Sequence, residues 1–157
     1  MRVFIKILTI PVILYVLTAC SSFSSEQKKQ YTVTAITSED AERAARILTD
    51  YRAAKGLSAV RVDERLNKAA AVQAERVVRI NKLDHGNLLA RVRQAEITAA
   101  AENLSAGDRN VDEAMETWKN SPYHNKNLLL PEMTRIGLAR ADNTSPYRMH
   151  WVLVLAD

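Results

Sequence analysis

The 157-residue chain has one cysteine, three histidines and only 6% aromatic residues, and each scarcity excludes something. A single cysteine rules out an internal disulfide framework. Lys and Arg are scattered among Glu and Asp with few aromatics between them, so the chain lacks a nucleic-acid footprint and no nucleic-acid partner is expected. Ser105, Ser121 and the serines near the start stand in no Gly-x-Ser-x-Gly elbow, which removes the most familiar serine nucleophile. The longest apolar run, Ile7 to Leu17, is too short for a stable membrane helix. Repeats and low-complexity segments are absent beyond a polar stretch near the start.

What is present begins with a leader. Arg2 and Lys6 precede the apolar run, which ends Leu17-Thr18-Ala19-Cys20. Positive charge followed by a short apolar segment is a secretory signal. Leu-small-small-Cys at its end resembles the bacterial lipoprotein box, which implies lipidation of Cys20 as the first mature residue; the plainer reading is a signal peptide with an incidental cysteine. Residues 1–19 are therefore expected to be a signal peptide and 20–35 a flexible tether rich in Ser, Gln, Lys and Thr, leaving 36–157 as the domain. The expected location is the bacterial cell envelope, lipid-anchored through Cys20 on the outer face of the cytoplasmic membrane or in the outer membrane. Removal of the leader leaves 20 basic against 18 acidic residues in 138, a net charge of +2 and one domain's worth of chain.

Helical spacing marks Glu39 to Lys55, with Ala44, Ile47, Leu48 and Tyr51 on one face and Gly56 as the stop. A second helix is expected after Asp63, with Leu66, Ala70, Val77 and Ile80 inward, and a third over Asn87 to about Glu96. Asn110-Val111-Asp112-Glu113 reads as a capping box opening a fourth helix through Met115 and Trp118, both taken as core. Pro122 sits at the first turn of a short fifth helix reaching Leu129. The end of the chain changes period: Ile136 and Leu138, then Trp151 to Leu155, flank the turn-rich Asp142 to Pro146 and read as two antiparallel strands. The second is almost wholly apolar, as an inner strand covered on both faces would be. Helices first and strands last make an α+β layered domain.

The residues with chemistry are few. His85 lies in Leu83-Asp84-His85-Gly86, His124 in Ser121-Pro122-Tyr123-His124 and His150 in Met149-His150-Trp151, with Glu102-Asn103 between the first two. Histidine is the side chain that most readily binds a metal or moves a proton near neutral pH. His85, His150 and Glu102 read as a two-nitrogen, one-oxygen shell with an open position for a zinc-bound water. Each also has a quieter reading: His85 as a helix C-cap, His150 as a half-buried strand residue, Glu102 and Asn103 as a buried polar pair that fixes a loop. His124 reads as part of a structural turn in which Ser121 is the N-cap, with a third imidazole of the site as its rival role.

In order and spacing these motifs resemble the CAP superfamily of cysteine-rich secretory proteins, antigen 5 and pathogenesis-related proteins. The matching pieces are Tyr51-Arg52-Ala53-Ala54-Lys55-Gly56-Leu57, Asp63-Glu64-Arg65-Leu66-Asn67-Lys68-Ala69-Ala70, Leu83 to Gly86, Ala101-Glu102-Asn103-Leu104, Ala114 to His124, Asn127-Leu128-Leu129, Ile136-Gly137 and the Trp151 strand. The resemblance implies an α-β-α sandwich: a small central antiparallel sheet flanked by helices, with a cleft lined by His85, Glu102, Asn103, Ser121 and His150. Many members line that cleft with two His and two Glu that hold a divalent metal. By resemblance His85 and His150 are the histidines and Glu102 the first glutamate, while the second glutamate's place holds Ser121. The expectation is a non-enzymatic, membrane-tethered domain that binds a small apolar or cell-envelope ligand or a partner protein. The alternative is a metal-dependent hydrolase of envelope peptides, with zinc or another divalent ion and Glu102 as base.

Overall fold

Two helical layers enclose one twisted sheet. The structure is a computed structural model, and it describes residues 31–34, 38–93, 97–144 and 146–157. In chain order the elements are β1 (Tyr31–Thr34), α1 (Ser38–Ala53), β2 (Arg61–Val62), α2 (Glu64–Ile80), α3 (Leu88–Val92), β3 (Ala100–Ala106), α4 (Val111–Asn120), α5 (Pro122–Leu128), β4 (Arg135–Asn143) and β5 (Met149–Ala156). The main strands run in the order β1-β4-β5-β3, all antiparallel, with the short β2 pairing parallel to β4.

The sandwich expected from the sequence is present. Alternation along β5 sends Trp151, Leu153 and Leu155 to one face, against α1, α4 and α5, where Leu48, Met115, Trp118 and Leu128 are buried. Val152, Val154 and Ala156 go to the other face, against Leu66, Ala70, Ala74 and Val77 of α2. β5 lies between β3 and β4 and is buried on both faces, which is why its sequence is an apolar run rather than an alternating one.

Local signals explain the helix ends. Gly56, at φ +72°, stops the chain after α1, and Leu57 N–H bonds back to the Arg52 carbonyl. Asp63 caps α2 by accepting from Arg65 N–H, and the guanidinium of Arg65, then that of Arg135, holds its carboxyl well below the usual carboxylate range. Asn110 caps α4 through Glu113 N–H as expected, but the Glu113 carboxylate reaches back to Arg109 rather than to the cap residue.

Two expectations need correction. The span read as a tether ends in a strand, since Tyr31 to Thr34 pairs with Asn143 to Arg140 and the Tyr31 hydroxyl donates to Glu75. The domain therefore begins at least five residues before residue 36. Ala101-Glu102-Asn103-Leu104, to which the sequence reading assigns no element, forms the middle of strand β3. Ile80, expected on the buried face of α2, is exposed in its last turn. The leader, Cys20 and the end of the expected third helix at residues 94–96 lie outside the described residues. Among the described residues no helix is long and apolar enough to cross a membrane.

Candidate functional site

The site is built where β3 is gripped from both sides. Glu102 and Asn103 are neighbours on a strand, so they point to opposite faces of the sheet. Glu102 lies on the α2 and α3 face, and Asn103 on the α4 and α5 face.

On the first face, the chain leaving α2 is pinned before it reaches His85. Gln73 Nε2 and Arg76 Nη1 donate to the Asp84 carbonyl at 2.6 and 2.8 Å, and Arg76 pairs with the Asp84 carboxylate at 2.6 Å. That guanidinium, then the Gly86 N–H, holds the Asp84 carboxyl below its ordinary value. His85 is then carried to Glu102, with Nδ1 2.9 Å from Oε1. Arg91 of α3 closes the arrangement: Nη1 donates to the His85 carbonyl and Nη2 pairs with Glu102 Oε2. The Glu102 side chain is 1% exposed and that of His85 58%. A carboxylate paired with arginine only accepts hydrogen bonds, so His85 Nδ1 carries the proton, and Nε2 has no partner among the described residues.

On the second face, Asn103 is fully buried and fully used. Its amide donates to the His124 carbonyl at 3.1 Å, and its Oδ1 accepts from Asn127, which also donates to the Glu102 carbonyl. These bonds fasten α5 to β3, and Tyr51 adds a bond to Asn125. The His124 ring is thereby held near His85: burial, then the neighbouring His85, pushes the His124 imidazole below its ordinary pKa, and its Nδ1 is buried without a partner among the described residues.

The expected trio is therefore not the one assembled. His150 pairs in register with Ala106, whereas Glu102 pairs with Val154. Four residues of strand separate them, roughly 13 Å at about 3.3 Å per residue. His150 is buried at the far end of β3, where burial pushes its pKa down, and it joins neither His85 nor Glu102. His124, read as a turn residue, has its carbonyl bonded to Asn103, and its ring feels the charge of His85. Ser121 begins α5 as expected, but its side chain makes no capping bond. Asn103 faces away from His85 as a strut between strand and helix.

The donor set does not fit the divalent metal implied by the sequence. Both Glu102 oxygens are engaged, one by His85 and one by Arg91, and Arg91 puts a positive charge where a cation would need the carboxylate. Ser121 offers no second carboxylate, and His150 is remote. Two imidazoles remain, fewer than the three protein ligands of a catalytic zinc site. Among the described residues no group of three His, Cys, Asp or Glu is placed to hold a metal.

Sequence reasoning missed Arg91. The signal was available, because a carboxylate inside the apolar run Ala99 to Leu104 needs a cation, and Arg91 and Arg93 lie just upstream.

This three-layer frame matches known proteins. A family model, the cysteine-rich secretory protein family (CAP), matches residues 46–155. The chain belongs to this family. One relative is the uncharacterized protein YkwD of Bacillus subtilis (strain 168), 26% identical over 144 residues, covering 86% of this chain and 56% of that protein. This CAP chain thus spans little more than half the length of the curated relative it matches. Among solved structures, an outer surface protein from Borrelia burgdorferi is 20% identical with a TM-score of 0.69, covering 80% of this chain and 97% of that one. An extracellular protein containing a SCP domain from Bacillus anthracis str. Ames is 18% identical with a TM-score of 0.63, covering 78% of this chain and 44% of that one. At these identities the two structures share the CAP fold with the chain.

Proposed function

We propose that this chain is a lipid-anchored, extracytoplasmic CAP-domain lipoprotein that binds a small apolar or cell-envelope ligand, or a partner protein, at the His85 face without cutting it. The observation that carries the binding reading is the commitment of Glu102: His85 takes one oxygen, Arg91 the other, and the side chain is 1% exposed, so neither oxygen faces a water it could activate. The same pair holds an exposed imidazole in one orientation, a fixed hydrogen-bonding station beside the His124 ring. The anchor rests on the Leu17-Thr18-Ala19-Cys20 box. The descriptions of the Borrelia burgdorferi relative as an outer surface protein and of the Bacillus anthracis relative as extracellular agree with that placement.

Detergent phase separation of cells expressing the full chain tests both halves. Wild type is expected in the detergent phase and Cys20→Ala in the aqueous phase, and an aqueous wild type removes the anchor. Organic extracts of the purified protein, read by mass spectrometry, should contain a small apolar molecule that is depleted in His85→Ala. Equal extracts from the two proteins remove ligand binding at His85.

A further inference from the structure

At the far end of β3 from Glu102, three loops meet around a cavity of about 300 Å³. Asn81, Lys82 and Leu83 come from the exit of α2, Ala106 from the end of β3, Tyr147 from the β4–β5 connection and His150 from β5. The size falls at the lower end of the range for small-molecule sites, about 300 to 1,000 Å³. Its walls divide by chemistry. Leu83 and Tyr147, 47% and 65% exposed, are two of the large apolar residues that the fold leaves in solvent, and both line this cavity. An apolar side chain left wet at a concave site is stabilised by an apolar ligand that covers it.

The polar groups are donors. The Lys82 ammonium makes no hydrogen bond or ion pair among the described residues, and a carboxylate whose charge it feels, Asp84, is already bonded to Arg76. Asn81 spends its Oδ1 on Asn143, leaving the amide N–H groups. The carbonyls at the end of α2 are capped by the N–H groups of Asn81 and Lys82, which covers the negative end of the helix. Beneath them lies His150, 3% exposed, its Nδ1 buried without a partner among the described residues. Register sets this ring on the α2 side of the sheet, the side on which Asn81, Lys82 and Leu83 stand. That ring also lies within hydrogen-bonding reach of the Arg148 and Ala141 backbone, so it floors the cavity and leaves Lys82 and Asn81 as the donors at its mouth.

We propose that this cavity binds a small carboxylate with an apolar, ring-sized body. The body lies against Leu83, Ala106 and Tyr147, and the carboxylate faces Lys82 and the Asn81 amide. The site is distinct from the His85 face, about four strand residues away, and its occupancy does not depend on what that face binds.

Saturation-transfer NMR on the full lipoprotein in lipid nanodiscs, with benzoate as the probe and benzylamine as its cationic counterpart, tests this. Benzoate should bind saturably and benzylamine should not. Lys82→Gln, at an exposed position, should weaken benzoate about fivefold, the worth of one solvent-facing charge contact. Ala106→Leu should abolish binding by filling the cavity, and His85→Ala should leave it unchanged. If circular dichroism shows Ala106→Leu unfolded, Lys82→Gln and Tyr147→Ala decide the question alone, the latter by removing the ring that covers the body. Absence of saturable benzoate binding, equal binding of benzylamine, or equal benzoate affinity in Lys82→Gln overturns the proposal. Loss of benzoate binding in His85→Ala also overturns it, because it places the probe at the other site.

Discussion

Replacing Arg52 with methionine is expected to cost about 4 kcal/mol or more, because it takes the donor from the buried Leu128 and Met133 carbonyls, at about 1–3 kcal/mol each, and loosens three part-buried ones. Arg52 is wholly buried near the end of α1, and among the described residues no carboxylate bonds to it. Its Nε donates to the Ser58 carbonyl, Nη1 to those of Leu128 and Leu130, and Nη2 to those of Pro131 and Met133. Burial pushes its pKa down from the ordinary arginine value, with Glu132 opposing, and the carbonyl cradle is what keeps the cation tolerable. The cradle is the α5–β4 connection, so one side chain fixes the segment that follows His124 and Asn127. Methionine fills much of the volume but donates nothing. Thermal denaturation should show a fall of roughly 15 °C or failure to fold. Arg52→Lys keeps the charge with three donors in place of five and should fall between. A methionine variant as stable as wild type would mean that the connection is held by something else.

Gly137→Ala is the second large effect. Gly137 sits in β4 where the first turn of α2 crosses it, and a Cβ there would lie 2.1 Å from the Leu66 carbonyl carbon and 2.4 Å from Asn67 N. Those atoms are backbone, so no rotamer change relieves the overlap. The helix is tied to the strand at this point: Asp63 N–H donates to the Ile136 carbonyl, and Leu138 N–H donates to Asn67 Oδ1. A methyl group must break these bonds or push α2 outward, at a cost of about 3 kcal/mol or more, the upper end of overpacking penalties. Urea denaturation reads it directly. An unchanged midpoint would show that the helix can move away freely.

Most of the architecture was legible in the sequence because its signals are local. Asp63, Asn110 and Pro122 stand at helix starts, Gly56 at a stop, and the unbroken run after Trp151 announces a central strand. What escaped depends on register and on long-range pairing. Tyr31 to Thr34 is a strand only because β4 offers an edge to it. β3 reads poorly because Glu102, Asn103 and Ser105 interrupt its apolar pattern, yet each polar side chain is buried in the strand. The same limit explains the site. Glu102, His85 and the order of motifs were visible, but the choice between His124 and His150 as the neighbour of His85 is set by strand register and by the Asn103–Asn127 bonds to α5. Neither can be read from spacing along the chain. Arg91 stood eleven residues before its carboxylate and drew no notice, because a lone arginine on a short helix usually faces solvent.

Arg91 also decides what the face can do. A free Glu102 would be a base or a ligand; bound on both oxygens, it is a positioning group for His85. Zinc titration of the full chain by calorimetry tests that most directly. If Arg91 and His85 have taken the carboxylate, micromolar zinc gives no saturable heat, and His85→Ala gives the same flat trace. Stoichiometric zinc binding by the wild type that disappears in His85→Ala would contradict it.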